Sequence, residues 1–260
     1  MPAKWSTKDE NIKRAELQKL YIIKNKSISE ISKSLNLADS TVYDRLLRLG
    51  IKPDRSKKIG FNNIRHDVCI PKHHSKKLSE FFGIMLGDGS LTPTQVTVTL
   101  GNKEVDYINY ISKLINGLFK INPKIYRRKK GYYVIYFGST RVVRWLLSNG
   151  LVFNKVKYQV SIPSWIFSKK TFMTGFLKGF FDTDGSIYKL KFGVQLAFTN
   201  RSLPMLGGIS RCLKLTGYCP SKISQFRVYI TRRLDIIKFF KVVDPANTKH
   251  KQRYHLFITT

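Results

Sequence analysis

Two short stretches hold the residues best suited to chemistry: GIMLGDGSL at 83–91 and KGFFDTDGSI at 178–187. Each is an apolar run ended by Asp-Gly-Ser, and the aspartates at equivalent places, Asp88 and Asp184, lie 96 residues apart. A carboxylate at the C-terminal end of a helix faces the negative end of the dipole, so this placement weakens the helix. Each run also has small residues that let a twin helix come close, Gly83 and Gly87 in one, Gly179 and Thr183 in the other. Packed as a pair, such helices would bring their last turns and both acids together. Two like charges so placed need a cation between them, and carboxylate oxygens suit a divalent ion such as Mg²⁺. Metal-held carboxylates in a strongly basic chain point to phosphodiester cleavage.

The charge is the bulk property that decides most. Forty-seven Lys and Arg against sixteen Asp and Glu give a net +31 in 260 residues, while 42% hydrophobic and 13% aromatic content are globular values. A field of this size favours a polyanion, and nucleic acid before a membrane surface. The start of the chain is polar and no long apolar segment follows, so neither a signal peptide nor a membrane span is expected. Cys69, Cys212 and Cys219 form no closely spaced pairs, which suits a reducing, intracellular compartment and gives no zinc pattern.

The elements that must position the two acids recur twice. After the first motif, QVTVTLGNK sets Val96, Val98 and Leu100 opposite Gln95, Thr97 and Thr99. After the second, YKLKFGVQLAFTN sets Leu190, Phe192, Val194, Leu196 and Phe198 opposite Lys189, Lys191, Gln195 and Thr199. Period two with one apolar face predicts half-buried strands whose other face is free. Helical segments follow at 103–119 and 202–217, then extended segments at 125–138 and 222–230, then closing helices. Two such ribbons could enter major grooves. Gln95, Thr97 and Thr99 with Arg127 or Arg128 would serve one, and Lys189, Lys191, Gln195, Gln225, Arg227 and Tyr229 the other. Side chains of these types suit bases and phosphates alike.

Residues 1–54 read as a helical head. Ser27 and Glu30 form a capping-box pattern, Ile28, Ile31 and Leu35 line one face, and a short break leads to a second helix capped by Asp39 or Ser40 and stopped at Gly50. The second helix would present Ser40, Thr41, Tyr43, Arg45 and Arg48, as in a helix-turn-helix that contacts DNA. Residues 55–74 lack a period and read as a linker. Modules at 75–167 and 168–260 complete the organisation.

FFGIMLGDG (81–89) and LKGFFDTDG (177–185) resemble the LAGLIDADG motif of homing endonucleases, and two copies resemble the monomeric, two-motif branch. The resemblance implies a pseudo-twofold saddle of two αββαββα modules, with Asp88 and Asp184 as ligands of Mg²⁺ ions, two or three of them, and Mn²⁺ standing in. It implies cleavage of both strands of a long, asymmetric double-stranded DNA site with short 3′ overhangs. By the same resemblance Asn102 with Lys103, and Asn200 with Arg201, are expected as supporting catalytic residues. The sequence departs from the pattern at Leu86, Phe82 and Lys178. Asp182, whose counterpart is Leu86, is therefore expected at the helix end or facing solvent, with no metal role, and Lys178 is expected to point away from the helix seam. Two alternatives stay open on the same fold: a DNA-binding regulator that does not cleave, and a maturase that binds intron RNA.

Overall fold

The computed structural model describes residues 7–24, 26–51, 53, 68–102, 104–128, 131–155 and 157–258. The chain divides into two compact units, residues 1–62 and 63–260. In the first, α1 (Thr7–Gln18) runs into a π-helical turn (Lys19–Ile23), followed by α2 (Ile28–Leu35) and α3 (Asp39–Arg48). Ser27 and Glu30 do form the reciprocal capping box at the start of α2, satisfying two orphan N–H groups. Asn36, in the left-handed region at φ 50°, ends α2 and opens the tight turn. The cap of α3 is Ala38, without a side-chain bond. Asp39 instead lies in the first turn and accepts from Ser32 Oγ, tying the two helices together. Leu17, Tyr21, Ile31, Val42 and Leu46 form the buried core of this unit.

Residues 54–67, most of the expected linker, lie outside the described residues. Val68 already packs in the core of the second unit, and the Cys69 N–H donates to the Phe119 carbonyl. The first module comprises α4 (Lys76–Leu86), β1 (Gly89–Thr92), β2 (Gln95–Leu100), α5 (Val105–Phe119), β3 (Lys124–Arg127), β4 (Tyr133–Gly138) and α6 (Thr140–Ser148). It is an αββαββα unit with an antiparallel sheet of order β1-β2-β4-β3. The second module repeats the order with α7 (Lys170–Asp184), β5 (Gly185–Leu190), β6 (Gly193–Thr199), α8 (Leu203–Leu215), β7 (Arg227–Ile230) and α9 (Arg233–Val242), and α10 (Thr248–Ile258) follows.

Its sheet has three strands, β5-β6-β7. The segment before β7 keeps only an isolated bridge between Ser224 and Arg227. Gln225 and Phe226 are both left-handed, at φ 46° and 58°, and two such residues in succession turn the chain too tightly to extend a ladder. The run at 188–200 is also not one strand. It folds back at Lys191–Phe192 into the β5–β6 hairpin, with Lys189 opposite Val194 and Tyr188 opposite Gln195.

The principal helix contact of this unit is α4 against α7. A Cβ on Gly83 would strike the Phe176 carbonyl and the Phe180 nitrogen, and one on Gly179 the Glu80 carbonyl and the Ile84 nitrogen. The two backbones therefore touch, as only glycine permits. Lys178 does not point away from this seam. Its Nζ lies 3.5 Å from Glu80 on α4 and over the Tyr110 ring, and Tyr110 Oη donates to the same carboxylate. Phe82 is fully buried and meets Trp165 edge-on at 5.2 Å. Gly179→Ala should lower stability by about 2–4 kcal/mol in denaturant melts, because backbone rather than a flexible side chain must move. Gly117→Ala, at an exposed α5 position with nothing within 4 Å, should raise it by about 0.5–1 kcal/mol in the same assay.

Candidate functional site

The seam ends where the two acids begin. Asp184 is the last residue of α7, and Asp88 follows the Gly87 cap of α4, its carbonyl accepting from the Thr99 N–H of β2. Both carboxylates are largely buried. Burial, then the charge of Asp184, pushes the Asp88 carboxyl up to about 6. Asp184 is also raised by burial, but Lys155 and a hydrogen bond from Asn200 Nδ2 at 3.1 Å oppose the shift.

Lys155 comes from the loop after α6. Its Nζ donates to the carbonyls of Met85 (3.2 Å) and Gly87, at the electronegative end of α4. Burial lowers its affinity for the proton while Asp184 and Asp88 raise it. Beyond the acids stands Glu104, which accepts from the Gly101 N–H (2.6 Å), Asn247 Nδ2 (2.7 Å) and Lys249 Nζ (2.8 Å). Burial opposes these bonds, yet they hold its carboxyl below the ordinary range. Lys249 acts electrostatically on both Asp88 and Asp184. A cavity of about 270 Å³ opens on the site, lined in part by Gly87, Lys155, Asp184, Asn200 and Arg201.

The two modules do not present matching partners. Asn200 binds Asp184 through its amide and accepts from the Ser202 N–H at 2.9 Å, and Arg201 stands exposed at the cavity. Asn102 is exposed beside Gly131, and Lys103 lies outside the described residues. No group of three His, Cys, Asp or Glu side chains that could hold a metal occurs among the described residues. The donors fit a hard divalent ion nonetheless. Two carboxylates whose mutual repulsion raises Asp88 are those such an ion would relieve, and Mg²⁺ usually takes one or two carboxylates and keeps several waters.

Asp182 lies in the last turn of α7, at the helix end as expected, but it does not face solvent: it is fully buried and accepts from the backbone N–H groups of Ala246 (2.8 Å) and Asn247 (3.0 Å). Burial pushes its carboxyl up to about 7 in spite of those bonds. Lys155, Asn247 and Lys249 lie far from both motifs in the chain and were not expected at the site, nor was Glu104, which directly follows Lys103 but carries no pattern of its own.

The free faces of the sheets follow the strand register. Gln95, Thr97 and Thr99 share one with Tyr126, Tyr136 and Arg128, whereas Arg127, opposite Tyr133, belongs to the core side. Arg128 lies over the Tyr126 and Tyr132 rings. In the second sheet Gln195, Thr199, Arg227 and Tyr229 share the free face with Tyr188. Lys189 falls on the core side beyond Ile187, because the hairpin reverses the parity that one continuous strand would have kept, and Lys191 is at the hairpin tip. Gln225 is exposed in the turn before β7. In the first unit Ser40, Tyr43 and Arg48 are exposed on α3, and Thr41 and Arg45 are half-buried. Burial, then Arg48, lowers the affinity of Arg45 for its proton.

The Asp88 carboxyl gives a test that needs no substrate. Its raised value means that ionisation in the fold is unfavourable: the penalty is complete above about pH 6 and absent below the unfolded value near 3.8. In chelator, Asp88→Asn should therefore stabilise the protein near pH 7.5 by up to about 3 kcal/mol. The gain should fade as the pH drops through about 6 toward 4. Melts of both proteins across that range check it.

Residues 171–243 match the family described as LAGLIDADG-like domain, and residues 79–150 the WhiA LAGLIDADG-like domain. A comparison with curated proteins finds no match. Among solved structures, a mesophilic variant of the homing endonuclease I-DmoI is similar at 18% identity over 65% of this chain and 94% of that one, with a TM-score of 0.47. The N-terminal LAGLIDADG domain of DUF199/WhiA is similar at 17% identity over 74% and 91%, with a TM-score of 0.46. Full-length DUF199/WhiA from Thermatoga maritima gives 16% identity over 66% and 57%, with a TM-score of 0.45. The two family matches, one to each module, are both to LAGLIDADG-like domains, and neither spans half of the chain.

Proposed function

We propose that this protein is a site-specific endonuclease that hydrolyses both strands of double-stranded DNA with divalent ions held by Asp88 and Asp184. The observation that carries this reading is the pairing of two buried carboxylates at the ends of two touching helices, in a chain of net +31. When bound, divalent ions supply an activated water and stabilise the leaving oxygen. The protein's own residues do the rest. Asn200 fixes the orientation of Asp184. Lys155 and Arg201, at the same cavity, supply positive charge to a scissile phosphate. The free faces that hold Gln95, Thr97 and Thr99, and Gln195, Arg227 and Tyr229, take the flanking duplex, one module to each half of an asymmetric site. The helix-turn-helix-like unit adds contacts through Ser40, Tyr43 and Arg48, and its removal would weaken binding more than chemistry.

A DNA-binding regulator that does not cleave is the second reading. Lys155 favours it, since an ammonium already held near both acids offsets part of their repulsion without an ion. Incubating a randomised duplex library with Mg²⁺ separates the two. Wild type should cleave a subset of sequences to short 3′ overhangs, and Asp184→Asn should lose at least about 100-fold in rate while retaining library binding in gel shifts. Equal product from both proteins, or none from wild type, would sink the endonuclease.

A further inference from the structure

Asp182 spends its carboxylate on the segment after α9, and that segment carries a cation back to the site. Asn247 is fully buried. Its N–H donates to Asp182 Oδ1, and its side-chain amide donates both to the Asp182 carbonyl (3.0 Å) and to Glu104 Oε1 (2.7 Å). Its Oδ1 accepts from the Lys249 N–H at 3.2 Å. One residue of each module, Asp182 from α7 and Glu104 from the turn before α5, thus grips the same amide. Two residues on, Lys249 Nζ closes the arrangement on Glu104 at 2.8 Å, with its side chain 40% exposed.

The same tie brings Lys249 to the edge of the site, because Asn247 bonds the carbonyl of Asp182, two residues before Asp184, and α10 packs on β5, the strand that leaves Asp184. We propose that residues 244–250 form a third part of the active site, in which Asp182 and Asn247 are positioning residues that hold Lys249 beside the paired aspartates, facing the phosphate of a bound duplex. The phosphate contact rests on the endonuclease reading; the placement of the charge does not. The departure at Asp182, an acid in one motif and Leu86 in the other, then has a function: it builds the anchor that the first module lacks.

Two measurements on the full chain separate these claims. Mn²⁺ titrated calorimetrically without DNA probes the charge alone. Lys249→Met removes a cation near the carboxylates and should tighten Mn²⁺ binding about three- to tenfold, with a small drop in Tm from the lost, half-exposed ion pair to Glu104. Lys249→Arg should restore the wild-type affinity, and Asn247→Ala, which frees Lys249, should shift it the same way by less. Cleavage of the randomised library in Mg²⁺ should fall about 100-fold in Lys249→Met and recover in part in Lys249→Arg. Unchanged Mn²⁺ affinity in Lys249→Met overturns the placement whatever happens to cleavage. A folded Asn247→Ala with wild-type affinity overturns the positioning role. A wild type that cleaves nothing sinks the endonuclease reading and the phosphate contact, while the Mn²⁺ series still decides where the charge sits.

Discussion

The close approach of α4 and α7 governs the rest of the second unit. Helices usually pack with axes roughly 8–10 Å apart, a distance set by the side chains between them. At this seam backbone meets backbone, since neither Gly83 nor Gly179 has room for a Cβ. Nothing at those points can slide or swell, so the last turns of both helices end side by side. The modules then diverge, each sending a hairpin away from its own helix end. The site is thus a by-product of packing: the last turns touch at Gly87 and Thr183, which brings Asp184, the last residue of α7, together with Asp88, just past the cap of α4.

Electrostatics then has to answer for what packing has done. Burial and mutual repulsion raise Asp88. The site holds three acids, Asp88, Asp184 and Glu104, and two ammoniums, Lys155 and Lys249, which interact with them. Three acids against two ammoniums, with Arg201 at the cavity edge, bring the site close to neutral in a chain of net +31. A polyanion is drawn by the global charge, and a small cation would meet the paired carboxylates rather than a net local charge.

What was legible in the sequence was whatever repeats or has a local rule. The two Asp-Gly-Ser motifs gave the order of elements, the Ser27–Glu30 box gave the start of α2, and Gly50 its place after α3. What escaped depends on distance or on unusual backbone. The fold-back at Lys191–Phe192 hides inside an unbroken alternation of lysine and apolar residues, and it moves Lys189 to the other face. The segment before β7 does not become a fourth strand because Gln225 and Phe226 are left-handed, a state that neither residue type announces. Lys178 looked out of place in a tight seam until Glu80, on the other helix, was seen beside it. Lys155 and Lys249 are two among forty-seven basic residues, and no local pattern distinguishes them.

The pseudo-symmetry is also weaker than the motifs suggest, and its failures share a direction. Leu86 is buried among apolar neighbours, while its counterpart Asp182 anchors the segment before α10. Asn200 bonds to Asp184, while Asn102 stands exposed. Asp184 is thus oriented by an amide, while burial raises the proton affinity of both acids. Evolution of a single chain from two like modules permits this, since each half can change without disturbing a copy of itself, whereas a symmetric dimer changes both sites at once. A duplex lying across these modules would meet different groups on its two strands, and an asymmetric site of that kind suits an asymmetric target.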